Sequence, residues 1–207
     1  DYIMALEVSP INGDLFIAAT GKIIRFDGTN LSIEVQESAA GTGWTDVVIN
    51  AAGVVYASIE GTSPENGIYT SPTGNGSWTR IAQNGTPAAW SGSGRTVLAS
   101  APSDNNIIYV LYMNNGGIFD ADLWQYNAGT TSWTNYSSKL PDEAGGDLTG
   151  NDPFTAQGGY DLVVSVKPDN ANFVVIGGTN AYKIEDITTD LTFLRIGGYN
   201  SNANYAL

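Results

Sequence analysis

The 207 residues carry 21 acidic side chains against 8 basic ones, a formal net charge of −13, and include no cysteine and no histidine. This excludes disulfides, thiolate nucleophiles, zinc held by sulfur or imidazole and any Ser-His-Asp triad within the chain, and it leaves no basic tract for nucleic acid or an anionic bilayer. With 42% hydrophobic residues, 25 glycines and many Val, Ile, Thr, Tyr and Trp residues, which suit pleated surfaces, the composition predicts an all-β fold with a sizeable core. No apolar run reaches the roughly 18 to 20 residues of a membrane span, so membrane insertion is not expected. No cofactor is expected either, although the acidic excess leaves calcium as a hard cation that loop carboxylates could take.

From the N-terminus, "MALEVSPINGDLFIAA" (4 to 19) alternates apolar and polar residues, turns at Pro, Asn and Gly, and continues as an apolar run. That pattern predicts a hairpin of one half-buried and one buried strand. "KIIRFD" and "LSIEVQ" then supply two more short strands. The same succession returns in "DVVINAAGVVYAS" (46 to 58) with "GIYTS" and "SWTRIA", and in "TVLASAPSDNNIIYVL" (96 to 111) with "DLWQYN" and "SWTNYS". A last copy is "LVVSVKPDNANFVVIG" (162 to 177) with "AYKIED" and "LTFLRIG". With Leu6, Val48, Leu98 and Val164 taken as equivalent, the units predict four consecutive four-stranded antiparallel blades near 1–38, 44–82, 95–138 and 160–196. Together they make one β-propeller region over 1–207 with essentially no helix. Four blades leave two open ends unless they close on themselves. The two chain ends read as cuts within a larger propeller, whose remaining blades, or a second copy, are the expected partners.

Two turns carry a further signal. "SPTGNGSW" (71 to 78) and "NAGTTSW" (127 to 133) each set a Trp directly after a tight turn. The first resembles the Asp-box (BNR-like) motif Ser-x-Asp-x-Gly-x-x-Trp of sialidase-type and sortilin-type propellers. Ser71 and Trp78 match it, whereas Thr73 and Asn75 stand in place of the Asp and the Gly. In the fourth unit Phe193 takes the Trp position, and the first unit keeps only the turn. "GGYDLVVSVKPDNANFVVIG" (158 to 177) is similar to blade segments of large secreted bacterial proteins with sortilin-like or glycosidase-type propellers. The resemblance implies a secreted or cell-surface, repeat-built surface. Trp44, Trp78, Trp124 and Trp133 are expected to pack between blades, with Trp78 and Trp133 buried.

In a propeller the turns joining strands one to two and three to four share one face, and the remaining loops share the other. The first set reads short throughout. The second holds "EGTSPENG" (60 to 67), "QNGTPAAWSGSGR" (83 to 95), "MNNGGIFDAD" (113 to 122) and "LPDEAGGDLTGNDPFTAQGGY" (140 to 160). Long loops on a rigid scaffold concentrate function. These gather Trp90, Arg95, Phe119, Asp120, Asp122, Asp147, Asp152, Phe154, Tyr160 and Asp161. Flat rings beside acceptors suit carbohydrate, or a glycan bridged by calcium. Packing readings stand beside these: Trp90 as a plug between blades, Asp120 and Asp122 in local turn bonds, Asp161 at a strand start.

Three functions fit this pattern. A non-catalytic extracellular binding or adhesion module needs only the long-loop face and a glycan or protein partner, and it is the expectation for this chain alone. A glycoside hydrolase needs two facing carboxylates. The two-propeller xyloglucanase-like enzymes, which the repeat also resembles, carry an acid after the second strand of the first blade, where "AATGK" (18 to 22) has none. The sialidase arginine triad is also missing, since Arg25, Arg80 and Arg195 fall on third or fourth strands. The third reading is a structural repeat used for assembly.

Overall fold

A computed structural model describes residues 2–38, 43–60, 64–92, 94–114, 121–141, 154 and 156–198. The fold is all-β. Blade 1 comprises β1 (Ile3–Val8), β2 (Leu15–Ala19), β3 (Lys22–Phe26) and β4 (Leu31–Gln36). Blade 2 comprises β5 (Thr45–Ile49), β6 (Val55–Ile59), β7 (Gly67–Ser71) and β8 (Thr79–Ala82). Blade 3 comprises β9 (Thr96–Ala101), β10 (Asp104–Met113), β11 (Ala121–Asn127) and β12 (Ser132–Asn135). Blade 4 comprises β13 (Val163–Lys167), β14 (Asn170–Gly177), β15 (Asn180–Ile184) and β16 (Leu194–Gly198). Each blade is an antiparallel meander in chain order. Helical structure among the described residues is limited to two single 3-10 turns, Ser137–Lys139 and Gln157–Gly159.

β1, β5, β9 and β13 adjoin one another in succession and form the inner edge. Three cores stack between the blades. Phe16, Ala18 and Ile23 of blade 1 meet Val47, Val55, Ala57 and Ile59 of blade 2. Tyr56 and Ile68 on the other face of blade 2 meet Leu98, Ile108, Val110, Tyr112 and Trp124 of blade 3. Val97, Ala99, Tyr109, Leu111 and Leu123 then meet Val164, Val174, Ile176 and Tyr182 of blade 4. Because successive residues point to opposite faces, β6 and β10 are buried on both, which is why they read as unbroken apolar runs rather than alternating ones.

The expected equivalence of Val48 is off by one residue. Leu98 and Val164 face the preceding blade. Val48 packs in the core shared with blade 3, the following blade, and it is Val47 and Ile49 that face blade 1. A shift of one residue in a strand exchanges its two faces, and both faces here are apolar, so the pattern alone does not reveal the slip. Loop lengths also divide less cleanly than expected. Residues 185–193 separate β15 from β16 on the face of the short turns, while 20–21 and 178–179 suffice on the other.

The box-like turns are completed from the neighbouring blade. Ser71 Oγ accepts the Gly74 amide at 2.9 Å, and the Glu34 carboxylate, on β4 of blade 1, accepts Gly76 N–H at 2.7 Å and Trp78 Nε1–H at 3.2 Å. Gly74 has φ +71°, and a Cβ there would sit 2.1 Å from the Phe16 ring, so the turn can lie against blade 1 only without a side chain. In blade 3, Asn127 Oδ1 accepts the amides of Gly129 and Thr130, and Trp133 Nε1–H donates to the Ile81 carbonyl of blade 2 at 3.1 Å. Both Trp residues are half-buried rather than buried, because they stand at the outer edge, where one side of the ring meets solvent. At the third junction Lys139 Nζ donates to the carbonyls of Ile187 and Asp190, and the Phe193 amide donates to Lys139 O. Glu34→Ala removes the acceptor of both donors from blade 2 and is expected to lower the unfolding free energy by about 1–2 kcal/mol, read from urea denaturation.

No core cluster joins blades 1 and 4 among the described residues. Leu6, Val8, Leu31 and Ile33 on the far face of blade 1 are exposed.

Candidate functional site

The starts of the inner strands meet at one end of the fold. Thr45 Oγ1 at the start of β5 donates to the Ala19 carbonyl of blade 1, and Asp46 accepts the Leu98 amide of β9 at 2.8 Å. Trp44, just before β5, and Arg95, just before β9, stack with the guanidinium carbon 5.0 Å from the ring centroid. Arg95 Nη1 reaches on toward blade 4, donating to the carbonyls of Gly159 at 3.0 Å and Tyr160 at 2.8 Å. Gly159 has φ +90°, and a Cβ there would lie 2.8 Å from Arg95 Cβ. Only glycine lets the backbone come this close.

Two carboxylates back this mouth. Glu60, following β6, accepts the Trp44 amide at 3.0 Å. Glu37, buried after β4, approaches from the other side, since a Cβ on Gly43 would fall 2.5 Å from its Oε1 and 3.1 Å from the Glu60 carbonyl. Burial pushes the Glu60 carboxyl up to about 7, with the Glu37 charge adding to the shift and the Trp44 amide and Arg95 opposing it. Deeper, burial raises Asp46 to about 6 despite the Leu98 and Val47 amides that it accepts. Trp44 remains 37% and Tyr160 76% exposed. The mouth therefore offers two accessible rings, a guanidinium donor, carboxylate acceptors and one acid that titrates near neutrality.

Of the sequence-predicted residues, Arg95 and Tyr160 are brought together here. Trp90 and Phe154 are not available as stacking surfaces. Trp90 is 3% exposed, with ring centroids 4.6 Å from Tyr112, 5.7 Å from Trp124 and 5.2 Å from Trp133. Phe154 is 1% exposed and packs edge-on against Tyr182 at 5.8 Å. A large ring at a blade junction gains more by excluding water there than a loop could hold exposed. Asp122 lies on β11 opposite Tyr112, not in a loop, and accepts a hydrogen bond from Asn114. Asp161 lies in the turn ahead of β13. Phe119, Asp120, Asp147 and Asp152 fall outside the described residues. Glu37 and Glu60 escaped the sequence reading, and Trp44, expected to pack between blades, instead stands 37% exposed at the mouth because it lies beyond the end of β5, where Arg95 covers only one side of its ring. The usable signal was position, since Trp44, Arg95 and Tyr160 each fall just ahead of an inner strand. Among the described residues no group of three or more acidic side chains could hold a metal ion, and no helix is long and apolar enough to cross a membrane.

Blades stacked around a common inner edge, with a mouth at the strand starts, define this as a β-propeller. The sequence matches no family profile and no curated protein. Among solved structures the chain is similar to the GH74 enzyme of Niastella koreensis, with a TM-score of 0.60 and 18% identity over 92% of this chain and 30% of that one. It is similar also to the GH74 xyloglucanase of Xanthomonas campestris, at 0.58 and 19% over 92% and 29%. A third is an ancestral GH74 enzyme, at 0.62 and 16% over 96% and 28%. At such identities the likeness shows the propeller fold, and the chain spans about 30% of the length of these neighbours.

Proposed function

We propose that this chain supplies part of a neutral-glycan-binding mouth to a larger, extracellular propeller. The observation that carries this reading is Arg95, stacked on part-exposed Trp44 and bonded to the backbone carbonyl of exposed Tyr160, which sets two rings that a sugar could stack on at one mouth while its hydroxyls pair with Arg95 and Glu60. The net charge of −13 disfavours acidic polymers. Likeness to a xyloglucanase supports a β-glucan as the glycan. The exposed apolar face of blade 1 supports further blades, or a second copy, completing the ring.

Calorimetric titration with cellohexaose and with a xyloglucan oligosaccharide tests the proposal. Trp44→Ala and Tyr160→Ala are each expected to weaken binding about tenfold, about 1.4 kcal/mol. Unchanged affinity in both variants would refute it. A second reading, glycoside hydrolysis, is favoured by Glu60, whose carboxyl burial and the neighbouring Glu37 charge push up to about 7, the range of a general acid. Release of reducing ends from xyloglucan, abolished by Glu60→Gln, would decide for that reading.

A further inference from the structure

Neighbouring blades diverge outward, and two of the three junctions are filled in their outer halves. Between blades 1 and 2 the wedge holds Glu34, Trp78 and the Phe16 ring under Gly74. Between blades 3 and 4 it holds Lys139 and Phe193. Between blades 2 and 3 a cleft of about 620 Å3 stays open, within the size range of small-ligand sites. Tyr126 and Trp133, with centroids 4.9 Å apart and planes tilted by 41°, line one wall, and Ile81 faces them.

The lining chemistry is selective. Not one lining residue is charged, in a chain with a net charge of −13. A charged ligand would be desolvated there without a counter-ion. The rim, however, is hydroxylated. Thr79 and Thr86 line the cleft, and neither hydroxyl has a hydrogen-bond partner among the described residues. A wholly apolar ligand would shut these groups off from water unpaired. What fits is a flat apolar face fringed with hydroxyls.

We infer that the cleft between blades 2 and 3 is a separate binding site for a neutral pyranose chain, stacked on Trp133 and hydrogen-bonded by the rim threonines. The inference is independent of the reading of the mouth, because the two sites share no residue. The five tryptophans give five indole N–H signals, so titrating 15N-labelled protein with cellohexaose reports the two sites separately. The Trp133 signal is expected to shift and saturate, with Trp78 unmoved. Thr79→Val combined with Thr86→Val weakens the Trp133 response about tenfold and leaves any Trp44 response intact. Oligogalacturonate, of the same ring size but charged, leaves Trp133 in place. A static Trp133 signal, an unaltered response in the double threonine variant, or a response to a proline-rich peptide in place of the sugar overturns the inference. A silent Trp44 beside a responding Trp133 overturns the mouth alone.

Discussion

Trp90→Ala is expected to lower the free energy of unfolding by about 3–5 kcal/mol, the largest effect of any single change considered. Its ring touches three other aromatic rings of blade 3 from a link that belongs to neither neighbouring sheet. The surrounding strands are tied by their own ladders and cannot collapse to fill the space. Truncation thus loses the transfer energy of the indole and leaves a cavity. Guanidinium denaturation of the purified variant measures the loss. A change below about 1 kcal/mol would mean that the junction of blades 2 and 3 is not held by this cluster. Oligosaccharide binding at the mouth should persist in the folded variant, since Trp90 does not reach it.

The second large effect concerns pH. Asp46 is raised by burial from its ordinary 3.8 to about 6. The folded state therefore binds this proton more tightly than the unfolded state does. Its contribution to stability is full below about pH 4 and is lost as pH rises through 6, amounting to about 3 kcal/mol. Glu60, raised to about 7, acts with the same sign. The exposed acids Asp27, Glu65, Asp169 and Asp186, lowered by hydrogen bonds to nearby amides or side chains, act with the opposite sign. Asp46→Asn isolates the one contribution. Relative to the native chain, the variant is expected to gain about 3 kcal/mol between pH 4 and pH 7. A pH-independent loss of about 1 kcal/mol is superimposed, because one of the two amides that Asp46 accepts loses its acceptor. Urea denaturation of both proteins at pH 4, 5.5 and 7 gives the comparison. Parallel stability profiles would refute the assignment.

Much of the architecture was legible because β-structure writes local signals. "IIYVLY", a β-branched and aromatic run after a Pro/Asn turn, reads as a strand with both faces covered, and it forms the buried part of β10, the longest strand of blade 3. The turns at Pro, Asn and Gly between first and second strands mark hairpins because these residues adopt the φ values that such turns require. Four repeats of this grammar specify four meanders, and a meander with two apolar faces must stack on its neighbours.

Legibility ended where a property depends on two distant segments. Trp44 and Trp90 both precede an inner strand in small-residue surroundings, yet one is part-exposed under Arg95 and the other is sealed among Tyr112, Trp124 and Trp133. Nothing within a few residues of either distinguishes them. The degenerate box at 71–78 lacks its own acid, and the carboxylate that completes it, Glu34, comes from a strand of another blade. Glu60 owes its raised pKa to burial and to Glu37, which lies on blade 1. By itself the sequence determined strands, turns and repeat number, since those follow from the period of apolar residues and the φ preferences of single residues. Which face of a strand meets which blade, which ring stays in solvent and which carboxylate loses its water were decided only by tertiary structure, because stacking of the blades sets desolvation and contact between residues far apart in the chain.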